Sequence, residues 1–321
     1  MSERAPLHEL ARQMAADVGR SLALRPRQIP SKYLYDALGS HLFEAICELP
    51  WYRITRAETA LLRRDAAAMV ALLGGPLTLI ELGCGSGEKI SIVAEAIGAR
   101  GDRVDIRLVD ISPTALELSE RCLARFEHVR VASHRATYLE GLTTAAADRP
   151  GSGAMLVLFL GSNIGNFAGS EAVDMLRGIR ATMRAGDGLL LGADLVKPRA
   201  DLLIAYDDPL GVTAAFNKNL LVRMNRELGA TFDLGAFVHR AVWNEGHSRI
   251  EMHLVSPTPQ RVTIGAADLE LVLDAGEAIW TESSYKYTPS GVIEMARAAG
   301  FSCRDQWIDA EARFSISMLT V

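Results

Sequence analysis

Five short apolar runs alternate with stretches of helical periodicity through the first two thirds of the chain. The runs lie at 77–82, 106–109, 129–132, 155–160 and 189–191. Helical stretches such as 89–99, 114–126 and 170–183 lie between most of them. Runs this short and this apolar suit strands covered on both faces. Strands that alternate with helices imply βαβ units and a parallel sheet, so the expected fold class is α/β.

Lys197-Pro198 breaks the alternation. Residues 199–286 read differently: a helical part, 199–228, then strand-like runs at 237–243, 249–254 and 261–264. The alternating pattern returns with a helix at 289–299, stopped by Gly300, and strands at 302–307 and 314–321 that would finish the sheet. The expected division is therefore residues 1–197 with 287–321 as one domain, N-terminal helices included. Residues 198–286 form an inserted, smaller α+β domain for substrate. In the N-terminal part, 32–48 has helical spacing interrupted at Gly39. Thr55 and Glu58 read as a capping box opening a second helix, which Gly74-Gly75-Pro76 stops.

The length, 321 residues, leaves room for two domains or one enlarged domain. A net charge of −5 gives no electrostatic footprint for nucleic acid. Cys47, Cys84, Cys122 and Cys303 are far apart, and the seven histidines do not pair at ligand spacing, so no metal is expected. The N-terminus lacks the apolar core of a signal peptide, and no apolar run approaches a membrane span. The expectation is a cytoplasmic monomer acting on a small molecule, without membrane or nucleic-acid partners.

The first apolar run leads into IELGCGSGEK, residues 80–89. Gly83, Gly85 and Gly87 let the chain turn sharply and bring backbone N–H groups close to a ligand. A dinucleotide fingerprint needs a small residue where Glu88 stands, and a phosphate P-loop needs a different spacing before Lys89. The loop instead resembles motif I of the class I methyltransferases, whose cofactor is S-adenosyl-L-methionine and whose product is S-adenosyl-L-homocysteine. Glu81 precedes the loop, and Asp110 ends the second run, where a carboxylate can accept from both ribose hydroxyls. The turn at 184–191 resembles the one before the fifth strand of such enzymes. The fold expected from this resemblance is a Rossmann-like sheet with an inserted substrate domain.

Several further segments carry a closer resemblance: PSKYLYDALGSHLFEAICELPWY (30–52), TRAET (55–59), FLGSNIGN (159–166), GADLVK (192–197), AYDDPLGVTAAFNKNLL (205–221), MNREL (224–228), RIEMHL (249–254) and TESSYKY (281–287). Together they are similar to the histidine Nα-methyltransferases of ergothioneine biosynthesis, over nearly the whole chain. The resemblance implies transfer of three methyl groups to the α-amine of L-histidine, giving hercynine. It assigns Asn166 and Tyr206 to the α-amino and α-carboxylate end. Glu282 and Ser284 fall to the imidazole, Met252 to the wall beside the ring, and Tyr35 and Tyr52 to the pocket. Gly161, Thr213 and Phe216 fall on pocket positions too. Tyr52 and Asn166 are the candidate catalytic pair. Glu81, Gly83, Gly85, Gly87, Lys89 and Asp110 fall to the cofactor. Two departures stand out. Thr137-Tyr138 replaces the Asp-Phe pair that meets the adenine, and Asn163 replaces a threonine.

Glu282 and Ser284 are two residues apart, so on a strand they share a face. A carboxylate can accept an imidazole N–H, and a hydroxyl can serve the second nitrogen. Residues alone leave rivals: an N-methyltransferase of another aromatic amino acid, such as a tryptophan derivative, or an idle S-adenosylmethionine-binding module. A nicotinamide dehydrogenase is opposed by Glu88.

Overall fold

The computed structural model describes residues 9–75, 77–149 and 153–321. In chain order the elements are α1 (Glu9–Leu22), β1 (Arg27–Gln28), α2 (Ala37–Glu48), α3 (Arg53–Ala71), β2 (Leu77–Leu82), α4 (Glu88–Gly98), β3 (Val104–Asp110), α5 (Pro113–Leu123), β4 (Val129–Arg135), α6 (Tyr138–Ala147), β5 (Ala154–Phe159) and α7 (Gly169–Ala181). Then come β6 (Gly188–Asp194), α8 (Arg199–Tyr206), α9 (Val212–Leu228), β7 (Val238–Asn244), β8 (Arg249–Val255), β9 (Gln260–Ile264), β10 (Leu269–Leu273), β11 (Ala278–Tyr285), α10 (Pro289–Ala298), β12 (Ser302–Asp309) and β13 (Phe314–Thr320).

The chain divides into two compact units, and one of them spans Cys47–Pro198 and Ser284–Val321. It holds a seven-stranded sheet of order β12-β13-β6-β5-β2-β3-β4. The pairs from β4 through β6 are parallel, and β13 runs antiparallel against β6. Every residue of β2 and β6 is buried, which is why those runs read as unbroken apolar stretches rather than as alternation. Leu142, Leu176, Ile179, Val292 and Ala296, from α6, α7 and α10, share one core with Val157, Leu189, Leu191 and Leu319 of the sheet. Helix starts follow local chemistry. Ser112 caps α5 by accepting from Ala115 N, and Thr288 caps α10 by accepting from Gly291 N, each with a proline just inside. The strand order reverses between β2 and β5, and ligands bind α/β sheets beyond the carboxyl ends of strands at such a switch point. This is the Rossmann-like sheet of the class I methyltransferases.

The other unit comprises the described residues up to Ile46 together with Arg199–Ser283. Its four-stranded sheet has the order β1-β11-β8-β7, and β9 and β10 form a separate antiparallel pair. The α9 helix buries Phe216, Leu220, Leu221, Met224 and Leu228.

Four expectations need correction. The N-terminal helices were assigned to the cofactor domain. The structure groups α1 and most of α2 with residues 199–283, because Arg27 and Gln28 add a parallel strand beside Ile279 and Trp280. The boundaries accordingly fall at Ile46/Cys47, inside α2, and at Ser283/Ser284, inside β11. The helical part expected over 199–228 is broken into two helices, parted at Asp207–Gly211, where Pro209 cannot continue an α-helix. The Thr55–Glu58 capping box does not form: α3 already begins at Arg53, and Glu58 is buried with partners elsewhere. Of the stop expected at 74–76, Pro76 lies outside the described residues; α3 ends at Ala71. No described helix is long and apolar enough to cross a membrane.

Candidate active site

The glycine loop follows β2, and a second turn, residues 160–166, follows β5, the adjacent strand. Gly83 has φ +79°, and its N–H donates to Val109 O at 2.8 Å, which binds the loop to β3. A Cβ at Gly83 would stand 2.7 Å from Asn163 Nδ2 and 3.3 Å from the Tyr138 ring. The loop therefore needs glycine there for both conformation and space. Tyr138 itself packs edge-on against Phe159, with centroids 5.3 Å apart. Gly83, Tyr138 and Asn163 are thus neighbours. Thr137 is exposed, and its hydroxyl donates to Glu140 Oε2 at 2.7 Å.

Four charged groups gather beside this loop. Glu81 is 2 % exposed, and its Oε2 has no hydrogen-bond partner. Burial pushes its carboxyl well above the ordinary carboxylate range; Glu58 and Asp110 push the same way and Lys89 opposes them. Burial likewise raises Asp110 despite backbone N–H donors, among them Ser112 N at 2.8 Å from Oδ1. Burial alone would lower the Lys89 ammonium, but the Glu58 carboxylate, 2.6 Å away, outweighs it and holds Lys89 above its usual value. An unpartnered buried carboxylate oxygen is costly, and a donor-rich ligand would relieve it. The methionine ammonium and ribose hydroxyls of S-adenosylmethionine are such donors, so these residues fit that cofactor.

In the turn after β5, Gly161 leads to Ser162, a non-glycine residue at φ +57°, whose Oγ accepts from Asp194 N at 2.9 Å. Asn163 Nδ2 lies 3.5 Å from Leu82 O. Asn166 ends the turn half-buried. It does not cap α7, whose N-cap is Ala168, with Glu171 accepting from Ala168 N at 3.0 Å. Tyr52 is buried at the N-cap of α3. Ser284 is also buried, and Lys286 Nζ donates to its Oγ at 2.9 Å. Lys286 is in turn 2.9 Å from Asp194 Oδ2, while Lys197 holds Oδ1 at 2.6 Å.

The second unit carries the remaining candidates. Tyr206 is buried at the end of α8, where His239 Nε2 donates to its carbonyl at 2.8 Å. Asn217 Nδ2 donates to His239 Nδ1 at 2.9 Å, which fixes the neutral Nε2–H tautomer. Burial lowers the His239 pKa, consistent with that form. Thr213 is buried one residue into α9, and its N–H donates to Asp208 Oδ2 at 2.8 Å. Tyr35 and Phe216 meet edge-on at 5.5 Å, with Phe43 completing the cluster. Met252 is buried on β8, and its carbonyl accepts from Thr281 Oγ1. Glu282 is half-buried on β11, and its carbonyl accepts from Trp280 Nε1 at 2.8 Å. Sequence reasoning missed Glu58, His239, Asp194 and Lys286, all buried and polar. Glu58 and His239 pair with groups 103 and 33 residues away, and Asp194 meets Lys286 across the chain, contacts that no local pattern announces. Among the described residues no group of three or more His, Cys, Asp or Glu side chains could hold a metal ion.

Comparison with known proteins agrees with this geometry. Residues 14–321 match the family model described as histidine-specific methyltransferase, SAM-dependent. The chain is 40 % identical over 303 residues to the histidine N-alpha-methyltransferase of Mycobacterium tuberculosis, covering 94 % of this chain and 93 % of that one. It is 39 % identical to the histidine N-alpha-methyltransferase of Mycolicibacterium smegmatis, over 96 % and 95 % of the two chains. It is 29 % identical to ergothioneine biosynthesis protein 1 of Neurospora crassa, over 92 % of this chain and 34 % of that one. The cofactor loop, the sheet that positions it and a match running from α1 to the last strand have one meaning: the chain belongs to the SAM-dependent, histidine-specific methyltransferases.

Proposed function

We propose that this chain methylates the α-amine of L-histidine three times, with hercynine as the product that enters ergothioneine synthesis. The observation that carries this reading is the family match over residues 14–321; Glu81 and the glycine loop at the end of β2, with Asp110 at the end of the neighbouring β3, support it.

S-adenosylmethionine, when bound, supplies a methyl group for in-line transfer to a neutral amine. Gly83, Gly85 and Gly87 would give it close backbone approach, Asp110 would accept from its ribose, and Glu81 and Lys89 would serve its methionine end. Thr137 and Tyr138 flank the adenine. An α-amine titrates near about 8 or somewhat higher, so a modest loss of solvation can suffice to leave the lone pair bare. Asn166 donates and accepts at once and orients that amine, with Tyr206 at the carboxylate end. Tyr52 lies near the amine and is the candidate to pass its proton to solvent. Most of the acceleration comes from holding the nitrogen about 3–3.5 Å from the methyl carbon. Gly161 leaves room for the nitrogen to grow through three rounds. Met252 forms the apolar wall beside the ring, and Tyr35, Thr213 and Phe216 line the pocket.

Ring selectivity falls to Glu282 and Ser284. Glu282 accepts an imidazole N–H. Ser284 Oγ accepts from Lys286, and as a hydroxyl it can serve the second ring nitrogen as donor or acceptor. A site that bonds a polar ring rejects analogues without it by about 10⁴ or more, because its own polar groups go unpaired.

Incubation with S-adenosylmethionine and an equimolar mixture of amino acids, read by mass, tests the proposal. Histidine alone gaining three methyl masses is expected. In Glu282→Ala the preference for histidine over tryptophan should fall about a hundredfold. Methylation of tryptophan derivatives in place of histidine would overturn the ring assignment.

A further inference from the structure

Glu58 lies on α3 with none of its surface exposed. Both carboxylate oxygens accept from the Gly161 N–H, at 2.9 and 2.7 Å, and Oε2 pairs with Lys89 Nζ at 2.6 Å. The chain makes room for it: a Cβ on Gly192 of β6 would collide with Glu58 Oε1. One side chain thus joins three segments far apart in sequence: α3, the first turn of α4 and the start of the turn after β5.

Stability alone does not account for this. A buried ion pair rarely outperforms well-packed apolar residues of the same volume, because both charges must leave water. Glu58 also adds to the local negative charge that makes Glu81 costly to ionise. The arrangement keeps a charged lysine in place and pins one backbone amide, at the expense of burying a third carboxylate beside two others.

We propose that Glu58 is a positioning residue that ties the cofactor end of the site to the turn carrying Asn166. Through Lys89 it holds a charged ammonium at a fixed place beside the glycine loop. Through the Gly161 amide it fixes the root of the turn that presents Asn166. The inference rests on the reading of Lys89 as a cofactor contact and Asn166 as an amine contact.

Binding of S-adenosylhomocysteine, measured by calorimetry, tests it without any acceptor substrate, so a wrong acceptor assignment would leave the result intact. Glu58→Gln keeps an acceptor for Gly161 and removes the negative charge that faces Lys89. Its Kd should rise about tenfold, and the same substitution in a Lys89→Met background should change Kd less than about twofold. An unchanged Kd in the single variant, or the same factor with and without Lys89, would overturn the proposal. Should Glu58→Gln not fold, Lys89→Met and the double variant decide. Lys89→Met leaves a buried carboxylate unpaired, so the double variant should melt at a higher temperature, and a Tm no higher would also overturn the proposal. Glu58→Met, which removes the Gly161 acceptor as well, should lower kcat at least tenfold below Glu58→Gln. Equal kcat in the two variants would sink the link to the turn.

Discussion

Two helices of this protein open in the same way and end up doing different things. Both α4 and α9 follow a left-handed glycine, Gly87 and Gly211. A helix N-terminus exposes unpaired N–H groups and a positive dipole end, and something must meet them. At α9 the chain meets them itself. Asp208 Oδ1 accepts from Leu210 N and Val212 N, and Oδ2 from Thr213 N. At α4 the N-cap, Gly87, has no side chain to do this, and the loop before it carries two further glycines and the charged group around Lys89. The first turn is closed by its own sequence, whereas the second is shaped for a ligand. Left-handed glycine marks both; what separates them is whether an acidic residue a few positions upstream folds back to fill the turn.

The largest test of that contrast is at Gly83. Gly83→Ala places a Cβ against Asn163 Nδ2 and the Tyr138 ring at a backbone angle that L-residues rarely adopt. Affinity for S-adenosylhomocysteine should fall a hundredfold or more, while the folded baseline in circular dichroism stays. A variant that binds with wild-type affinity would mean that the loop is only a turn, and the contrast with α9 would collapse.

The filled turn should respond in stability, not in cofactor binding. Asp208→Ala removes the acceptor of three backbone N–H groups and should cost about 1–3 kcal/mol in urea denaturation at neutral pH. The loss has a pH signature. Burial on its own would raise the Asp208 carboxyl, but the N–H bonds from Thr213, Val212 and Leu210 hold it below the ordinary value. A carboxyl lowered in the folded state binds fewer protons there than in the unfolded chain below about pH 3.9. Its contribution is therefore complete above that pH and fades as pH falls through the folded value. The gap between wild type and Asp208→Ala should narrow in acid. A gap that is constant with pH would assign the loss to helix geometry and not to the charged cap.

These tests also show which parts of the molecule the sequence could disclose. The parallel sheet and the glycine loop after β2 were legible because their determinants are contiguous. Residues 80–89 hold the acidic residue, the three glycines and Lys89, and the strand–helix alternation around them dictates a parallel sheet. Buried strands such as β2 and β6 announce themselves by composition. The polar supports were not legible. Glu58 and Thr55 have the spacing of a capping box, yet the partner of Glu58 is an amide 103 residues away. His239 supports Tyr206 across 33 residues, and no local pattern distinguishes it from a surface histidine. The edge strand β1 is two residues long, too short for any period, and it carries the N-terminal helices into the second unit. Long-range pairing decides such features, and a window along the chain does not see it.

The smallest expected effect is at Thr137, at the margin of the cofactor face. Its hydroxyl donates to Glu140, and its side chain is exposed, so Thr137→Ala should change S-adenosylhomocysteine affinity less than about twofold. Thr137→Asp introduces the carboxylate that the family resemblance associates with the adenine amino group. A single exposed hydrogen bond to a charged acceptor contributes little, and repulsion from Glu140 opposes it, so a gain of about threefold is expected. The inosine analogue of the ligand, which lacks that amino group, separates the causes. A gain that disappears with the inosine analogue places the carboxylate on the adenine edge. A gain that persists assigns it to charge alone and moves the adenine contact to the Tyr138 ring. A fivefold loss in Thr137→Ala would instead make the threonine a direct contact, and the margin of the loop would then bind as selectively as its centre.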